Sequence, residues 1–332
     1  MGLSPLAGAG VIAPGLALLL SMSAALPRQA LEGSTHILLV TGLSGEPRFA
    51  TAFHTAAASL YDAAKARWVR SDSNLVYLAE DPAQDPVRIK ARATRDGIAS
   101  AIAALGARSS PGDVVLIVLI GHGSGQGADS RLNLPGPDAT AADFATWVGP
   151  LSGRIVVLIN ASSGSGDFVP ALSGKDRVIV TATKSAMERN EITFGDHFAR
   201  ALVAESADGD RDGRVTVFEA FEFARREVAK GYETRNLLAT EHALLDDNGD
   251  GKGTAGDGAL ARTVAFGTAP LPTDPRVASL VAERRALEAQ VDALRRRKAA
   301  MDSTAYEREL ERLLVEIATR SAAIRAAMGQ KP

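Results

Sequence analysis

Two apolar runs without a polar interruption, at residues 114–120 and 155–159, constrain the fold of this chain more than any other feature. A strand with one face in water alternates apolar and polar residues, whereas an unbroken run is typical of a parallel strand that is buried on both faces. Three further apolar segments have the length of strands and lie at residues 36–41, 75–78 and 178–181. The sequence therefore predicts a mostly parallel sheet.

Amphipathic stretches separate these strands. Residues 47–67 carry apolar side chains at helical spacing, and Thr94 is placed to cap a second helix. Shorter helices are predicted at residues 141–148 and 194–203. The alternation predicts an α/β fold with helices on both faces of the sheet. Because ligands on such sheets bind beyond the carboxyl ends of the strands, the loops after the two unbroken runs are the expected site of chemistry.

Composition excludes several classes of protein. The chain of 332 residues contains no cysteine, so it has no disulfides, no cysteine-ligated zinc, no iron–sulfur cluster and no cysteine nucleophile. Its net charge of −2 gives no indication of nucleic-acid binding, and we predict no nucleic-acid partner. A hydrophobic content of 46% excludes wholesale disorder.

Residues 1–30 are predicted to be a signal peptide or an N-terminal anchor. The apolar run at residues 6–20 is broken by Pro14 and is too short for a good membrane span. Small residues around Ala25 suit cleavage, although the segment before the run contains no lysine or arginine. We therefore expect an exported protein, periplasmic or secreted. An uncleaved membrane anchor and a misassigned start codon are the alternatives.

The loops after the two unbroken runs contain a histidine and a serine. His122 lies between Gly121 and Gly123, and glycine leaves backbone N–H groups open to a ligand, so His122 is placed to act as a general base. The glycines are not followed by a predicted helix, which argues against a dinucleotide-binding loop. The next strand ends in Ala161-Ser162, without the Gly-x-Ser-x-Gly pattern of an α/β-hydrolase. Neighbouring parallel strands would bring Ser162 close to His122.

Together the two loops resemble those of the caspase-like peptidases, and within them the legumain-like branch, over about residues 36–205. In that family a His-Gly pair after one strand faces a nucleophile in an Ala-Cys turn after the next strand. The matching positions are His122-Gly123 and Ala161-Ser162. The resemblance implies a peptide or protein ligand, catalytic roles at His122, Gly123 and Ser162, and an oxyanion hole formed by the N–H groups of Gly123 and Ser162.

Position 162 departs from the family, because serine replaces the cysteine nucleophile. A serine hydroxyl is far less acidic than a thiol and must lose its proton during attack, and no carboxylate that would orient His122 can be assigned. A degenerate peptidase that binds peptide or protein is the first hypothesis. The alternatives are an active hydrolase using Ser162 and His122, and a calcium-stabilised envelope scaffold. We expect Ser162 and His122 within hydrogen-bond reach, directly or through water.

The segment at residues 184–190 follows the fifth predicted strand. In related enzymes this region shapes substrate specificity, so Glu188 or Arg189 could contact a substrate. A surface ion pair is the alternative for these two charged side chains.

A calcium-binding loop of the EF-hand type is predicted at residues 208–219. Asp208, Asp210 and Asp212 would supply carboxylates, Arg214 its backbone carbonyl, and Glu219 a bidentate carboxylate. Predicted helices enter and leave the loop. The cofactor predicted from this pattern is Ca²⁺.

A second, less regular loop follows at residues 246–257. Its predicted ligands are Asp246, Asn248, Asp250 and Asp257. Aspartate at the last position reaches less far than glutamate, and the glycines that follow argue against a regular exit helix. The stretch at residues 232–245 is expected to lie against the first loop. Two such sites suit a calcium-rich environment outside the cell, where the ion would be structural.

The end of the chain is predicted to form a helical hairpin or coiled coil. Apolar residues recur every seven positions in two series, while Arg284 and Lys298 interrupt the seam, which favours a short antiparallel pair. Self-association through these helices is the second predicted partnership. The predicted domains are an α/β domain at residues 31–205, a calcium-binding extension at 206–270 and the hairpin at 275–328.

Overall fold

The computed structural model describes residues 33–209, 214–254, 256–267, 274–298 and 301–328. The predicted signal or anchor segment, residues 1–30, lies outside this part of the chain. Within the described residues, no helix is both long enough and apolar enough to cross a membrane.

Helices and strands alternate along the chain as the sequence predicts. The strands are β1 Thr35–Thr41, β2 Leu75–Ala79, β3 Ala91–Arg92, β4 Val114–Gly121, β5 Gly123–Ser124, β6 Arg131–Leu132, β7 Ala139–Thr140, β8 Ile155–Ser162, β9 Arg177–Thr181, β10 Arg214–Thr216, β11 Leu244–Asp246 and β12 Ala265–Gly267. The helices are α1 Pro47–Ala63, α2 Arg95–Arg108, α3 Ala141–Val148, α4 Phe168–Leu172, α5 Phe194–Val203, α6 Val217–Thr234, α7 Pro275–Arg296 and α8 Ser303–Ala327.

A seven-stranded sheet forms the centre, in the order β11-β9-β8-β4-β1-β2-β3. All neighbouring pairs are parallel except β11 and β9. Every residue of β4 and β8 is buried, which explains why these strands have no polar alternation. The predicted α/β fold with a mostly parallel sheet is confirmed.

Helices cover both faces of the sheet. On one face α1, α5 and α6 enclose an apolar cluster that includes Ile159 and Ala161 of β8. On the other face α2, α3 and α4 enclose a second cluster that includes Leu158. Successive residues of a strand point to opposite faces, so a residue's place in β8 decides which cluster it meets.

The starts of α2 and α3 are capped by threonine side chains, and the cap at Thr94 is the one that the sequence predicts. The Gly97 N–H donates to Thr94 Oγ1 at 3.1 Å at the start of α2. At α3, Thr140 and Asp143 form a capping box, and Arg95 makes two hydrogen bonds to the Asp143 carboxylate. The guanidinium of Arg95 holds the pKa of Asp143 well below its usual range.

Residues of the predicted calcium extension contribute to this core. Strand β11 pairs with β9 at the sheet edge, and α6 contributes Phe221 and Val228 to the first apolar cluster. Strands β10 and β12 form a separate antiparallel pair. The boundary between the two predicted domains stays a prediction.

The last two helices, α7 and α8, pack together as an antiparallel hairpin. Val277 near the start of α7 lies in one cluster with Ile324 near the end of α8, and Leu294 lies in another with Tyr306. The side chain of Arg284, which the sequence predicts to interrupt the seam, is 1% exposed and borders a cleft that Thr216 and Glu219 also line. Assembly of this hairpin with a second copy stays a prediction.

Candidate functional site

The predicted histidine and serine follow adjacent strands at the same edge of the sheet. Gly121, the last residue of β4, stands opposite Ser162, the last residue of β8. His122 is therefore one residue beyond the position that pairs with Ser162. A short three-stranded sheet of β5, β6 and β7 lies next to this edge and begins at Gly123. The main-chain arrangement is the one that the two motifs predict.

The imidazole of His122 is held by two aromatic rings of α1. Its centroid lies 4.6 Å from that of Phe49 and 5.2 Å from that of Phe53, both in edge contacts. Phe53 packs against the apolar cluster on the α1 face of the sheet. Their helical spacing in the sequence predicts a helix and does not indicate that they border the site. They direct the histidine towards the α1 face.

The side chain of Ser162 is directed to the other face. Ala161 belongs to the cluster under α1, and alternation along β8 turns the next residue away from it. Ser162 is 1% exposed, and its hydroxyl donates to Asn160 Oδ1 at 2.6 Å. The serine proton is directed to Asn160, which lies two residues back on the same face of the strand, and not to His122. A contact between Ser162 and His122 through water stays a prediction.

Both backbone donors of the predicted oxyanion hole have acceptors inside the protein. The Ser162 N–H donates to Asn160 Oδ1 at 3.1 Å, and the Gly123 N–H donates to Ser163 Oγ at 3.3 Å. The expectation that these N–H groups are open to a ligand is therefore wrong. A Cβ on Gly123 would lie 2.3 Å from the carbonyl oxygen of Ser163, so only glycine fits where the two loops meet.

Asn160 is the polar residue of this site that sequence reasoning missed. It is fully buried, and its Nδ2 has no hydrogen-bond partner within the described part of the chain. Its Oδ1 must face Ser162, because the Ser162 N–H is a donor and needs an acceptor. The signal was present in the sequence, since residues two apart on a strand share a face.

The segment at residues 184–190 is tied to this turn and to the chain before β11. The Glu188 carbonyl accepts from the Gly164 N–H at 2.8 Å, and the Glu188 carboxylate accepts from His242. Arg189 donates to the carbonyl oxygens of Ala186 at 2.8 Å and Gly125 at 3.2 Å. Both charged side chains thus have partners in the protein, and their role towards a substrate stays a prediction.

A cleft of about 830 Å³ lies beyond the carboxyl ends of β1 and β2. Its wall includes Glu46 and Ala50, which belong to the start of α1, and Glu80. Glu80 accepts from the hydroxyl of Ser44 at 2.6 Å and from its N–H at 2.8 Å, which holds the loop after β1 in place. The start of α1 therefore borders the cleft and, through Phe49, also contacts His122.

Three carboxylates of the second predicted calcium loop converge. Oxygen atoms of Asp246, Asp250 and Asp257 lie within 4.8 Å of one another. Asp246 is 1% exposed, and within the described residues its Oδ1 has no hydrogen-bond partner. Burial raises the pKa of this carboxyl, and the neighbouring carboxylates raise it further. An oxygen-rich anionic set with an unsatisfied buried oxygen fits a hard divalent cation such as Ca²⁺.

Other groups of this second loop hold its backbone. Asn248 Oδ1 accepts from the Asp250 N–H at 2.8 Å, and Asp257 accepts from the N–H of Thr254 at 2.6 Å. The loop leads into a turn, because Asp247 accepts from the N–H groups of Gly258 and two later residues. No regular helix follows Asp257 in the described residues up to 267, as its glycines predict.

The first predicted calcium loop is described only in part, since Asp210 and Asp212 lie outside the described residues. Helices α5 and α6 flank the loop as predicted. Glu219 accepts from the Thr216 hydroxyl at 2.8 Å and from the Gly209 N–H at 3.1 Å, which joins the two ends of the loop. The fit of the first loop to Ca²⁺ therefore stays a prediction, including the roles of Asp208, Arg214 and Glu219.

The stretch between the two loops lies along the main sheet rather than only against the first loop. Glu241 accepts from the Thr193 N–H at 2.7 Å and from its hydroxyl at 2.7 Å, at the start of α5. Three residues later β11 begins and pairs with β9. The second loop is thus joined directly to the edge of the sheet.

Two of three comparisons with known proteins found no match, and the third found a distant structural similarity. No protein-family model matches the chain, and no curated protein matches it significantly. Among solved structures, the chain is similar to the crystal structure of drICE, a caspase, at 11% sequence identity and a TM-score of 0.39. The match covers 67% of this chain and 90% of that one. Such a distant similarity identifies neither substrate nor mechanism, so the function below is derived from the geometry of this chain.

Proposed function

We propose that this chain is a peptidase-fold protein that binds a peptide or protein at the carboxyl edge of its sheet without cleaving it. The observation that carries the proposal is the state of Ser162. Its hydroxyl is buried and bonded to Asn160, while the His122 ring packs against two phenyl rings on the other face. A serine nucleophile needs a base within hydrogen-bond reach, so this arrangement disfavours turnover.

The edge of the sheet nevertheless has features that suit an extended ligand. Met187 in the loop after β9 is 74% exposed, and Leu43 in the loop after β1 is 39% exposed. These apolar side chains lie on loops that flank the two motifs, and the cleft at β1 and β2 includes Ser44, the residue after Leu43. We propose these two side chains as apolar contacts for a bound chain.

Ca²⁺ is the proposed structural cofactor. Asp246, Asp250 and Asp257 would hold it, and the ion would neutralise three carboxylates that otherwise repel one another. Because Asp246 is the last residue of β11, the ion would fix the end of the sheet's edge strand. Residues 1–30 supply the reason for proposing export, to a calcium-rich compartment, with membrane anchoring as the alternative.

A binding screen tests the proposal. The full chain is immobilised and offered a peptide library, with calcium or with a chelator, and captured peptides are identified by mass spectrometry. We expect capture, weakened by Met187→Ala. The matched control is Val315→Ala, which trims another exposed apolar side chain, on α8, far along the chain. Capture that is unaffected by Met187→Ala would count against this edge as the binding surface.

The same screen separates the two alternatives. Cleaved peptides whose formation requires Ser162 would establish the active hydrolase. If capture is lost on deletion of residues 275–332 from an otherwise folded chain, the hairpin carries the function and the scaffold hypothesis is favoured. Capture that survives the deletion supports binding at the sheet edge.

A further inference from the structure

We infer that Asn160 and Ser163 lock the site, because each occupies one of the two N–H donors that an oxyanion would need. The inference rests on the proposed function and adds a second reason for inactivity beside the missing thiol. Replacement of Ser162 by cysteine would restore the nucleophile and leave both donors engaged. Full anion binding at this turn therefore requires changes at positions 160 and 163 as well.

Geometry supports a lock rather than an incidental contact. Asn160 Oδ1 accepts from both the N–H and the hydroxyl of Ser162, at 3.1 and 2.6 Å. Ser163 Oγ, on a residue that is 4% exposed, accepts from the Gly123 N–H at 3.3 Å. Both acceptors are buried, so water does not compete for these donors as it would at the surface.

The Asn160 side chain is also held at an energetic disadvantage. Its Nδ2 is buried without a partner in the described residues, and an unsatisfied buried donor is destabilising. A strand buried on both faces would normally carry an apolar residue here, as positions 156 and 158 do. The asparagine at this position is thus explained by the two hydrogen bonds that its Oδ1 accepts from Ser162.

Amide hydrogen exchange tests the two contacts separately. Ser163→Ala should speed exchange of the Gly123 amide at least tenfold and leave that of Ser162 unchanged, because only the first loses its acceptor. Asn160→Ala should do the reverse. If Asn160→Ala does not fold, Asn160→Val, which suits a strand, replaces it. Equal effects of both variants on both amides would overturn the inference.

An aldehyde adduct tests the consequence for anion binding. The probe is ¹³C-labelled acetamidoacetaldehyde, which has no side chain and needs no specificity pocket. In the full-length Ser162→Cys variant, the only thiol is the introduced one, because the natural chain has no cysteine. The sulfur bonds to the carbonyl carbon, the carbonyl π bond breaks, and its oxygen takes the thiol proton, giving a thiohemiacetal that NMR detects.

We expect the adduct to form at least tenfold more tightly when Asn160→Ala and Ser163→Ala are added to Ser162→Cys, since the oxygen then meets two free donors. Ser162→Cys with Ser165→Ala is the matched control. Ser165 is also buried in this turn, but its hydroxyl bonds to Thr183 and to the Ala182 N–H. Equal affinity in all folded variants, including no adduct in any, overturns the inference. Peptide cleavage by the unaltered chain would instead overturn the proposed function.

Discussion

Buried polar side chains at the sheet edge decide the chemistry of this molecule one residue at a time. A hydroxyl that is 1% exposed must find an acceptor, and for Ser162 the nearest is Asn160 on the same face of β8. His122 meets aromatic rings instead of a hydroxyl. Strand β8 therefore carries both the predicted nucleophile, Ser162, and the residue that fixes its hydroxyl, Asn160.

Gly123 lies so close to the backbone of Ser163 that adding one methyl group there should have a measurable effect on stability. Gly123→Ala would place a Cβ 2.3 Å from the Ser163 carbonyl oxygen, so backbone must shift. We expect a loss of roughly 1–3 kcal/mol in the free energy of unfolding, measured by urea denaturation. The control is Gly231→Ala in α6, where the nearest atom is 3.9 Å away. That change should stabilise the protein by up to about 1 kcal/mol. A neutral Gly123→Ala would contradict the described contact.

Sequence alone predicted where His122 and Ser162 lie and not where they point. The apolar runs locate the ends of β4 and β8, and the site follows from the rule for parallel sheets. A run that is apolar throughout, however, does not show which residues face which layer. In the structure, Phe53 and Ala161 belong to the apolar layer under α1. Their positions show that His122 points towards this layer and Ser162 away from it.

At the scale of elements, α2 and α3 are joined by the ion pair of Arg95 with Asp143. The lowered pKa of Asp143 means that the pair contributes stability above the unfolded carboxyl pKa, about 3.9, and loses it as pH falls towards the folded value. Arg95 is 43% exposed, so solvent screens the pair and its contribution should be modest. Asp143→Asn should therefore be slightly less stable than the natural chain at pH 7.

Urea denaturation at a series of pH values checks the sign. The difference between the natural chain and Asp143→Asn should shrink as the pH is lowered below about 4, because the Asp143 carboxyl then takes up a proton in the unfolded chain while it stays ionised in the folded one. Thr140→Ala removes the cap of the same helix without removing a charge and should cost about 1 kcal/mol at every pH. A difference for Asp143→Asn that does not change with pH would show that the cap alone is at work.

The hairpin offers a matched pair of neighbouring leucines. Leu313 is 1% exposed in the seam, whereas Leu314 is 48% exposed. Leu313→Ala should destabilise the hairpin by about 2–4 kcal/mol, and Leu314→Ala should have little effect. Limited proteolysis within residues 275–328 measures this, because local opening exposes the cleavage sites. Equal cleavage of the two variants would show that the hairpin is not packed along this seam.

Long, periodic elements were predictable, and short ones were not. The prediction for residues 47–67 is correct in position, but the α-helix ends at Ala63 and a π-helical turn, Ala64–Trp68, completes the segment. Strand β11 was missed because three residues carry no period, and its place depends on pairing with β9. Without this strand, the sequence predicts that residues 232–245 lie against the first calcium loop.

At the scale of the whole molecule, the second calcium loop is attached to the edge of the main sheet, so the ion should stabilise the entire domain. Binding to the folded state alone adds about 2.7 kcal/mol when free calcium is 100 times its Kd. Calorimetry should show a higher Tm in calcium than in chelator. Asp246→Asn and Asp250→Asn should reduce this response, and Glu219→Gln reports on the first loop. An unchanged Tm at millimolar calcium, with no heat of binding, would contradict the proposed cofactor.

Turnover is the most direct test of the whole account. The full chain and its Ser162→Ala variant are incubated with the same peptide library, with and without calcium, and new peptide termini are counted by mass spectrometry. Because the Ser162 hydroxyl donates to Asn160 and both N–H donors are engaged, we predict peptide capture with no new termini in either sample. New termini that form with the natural chain and disappear with Ser162→Ala would contradict a non-catalytic function.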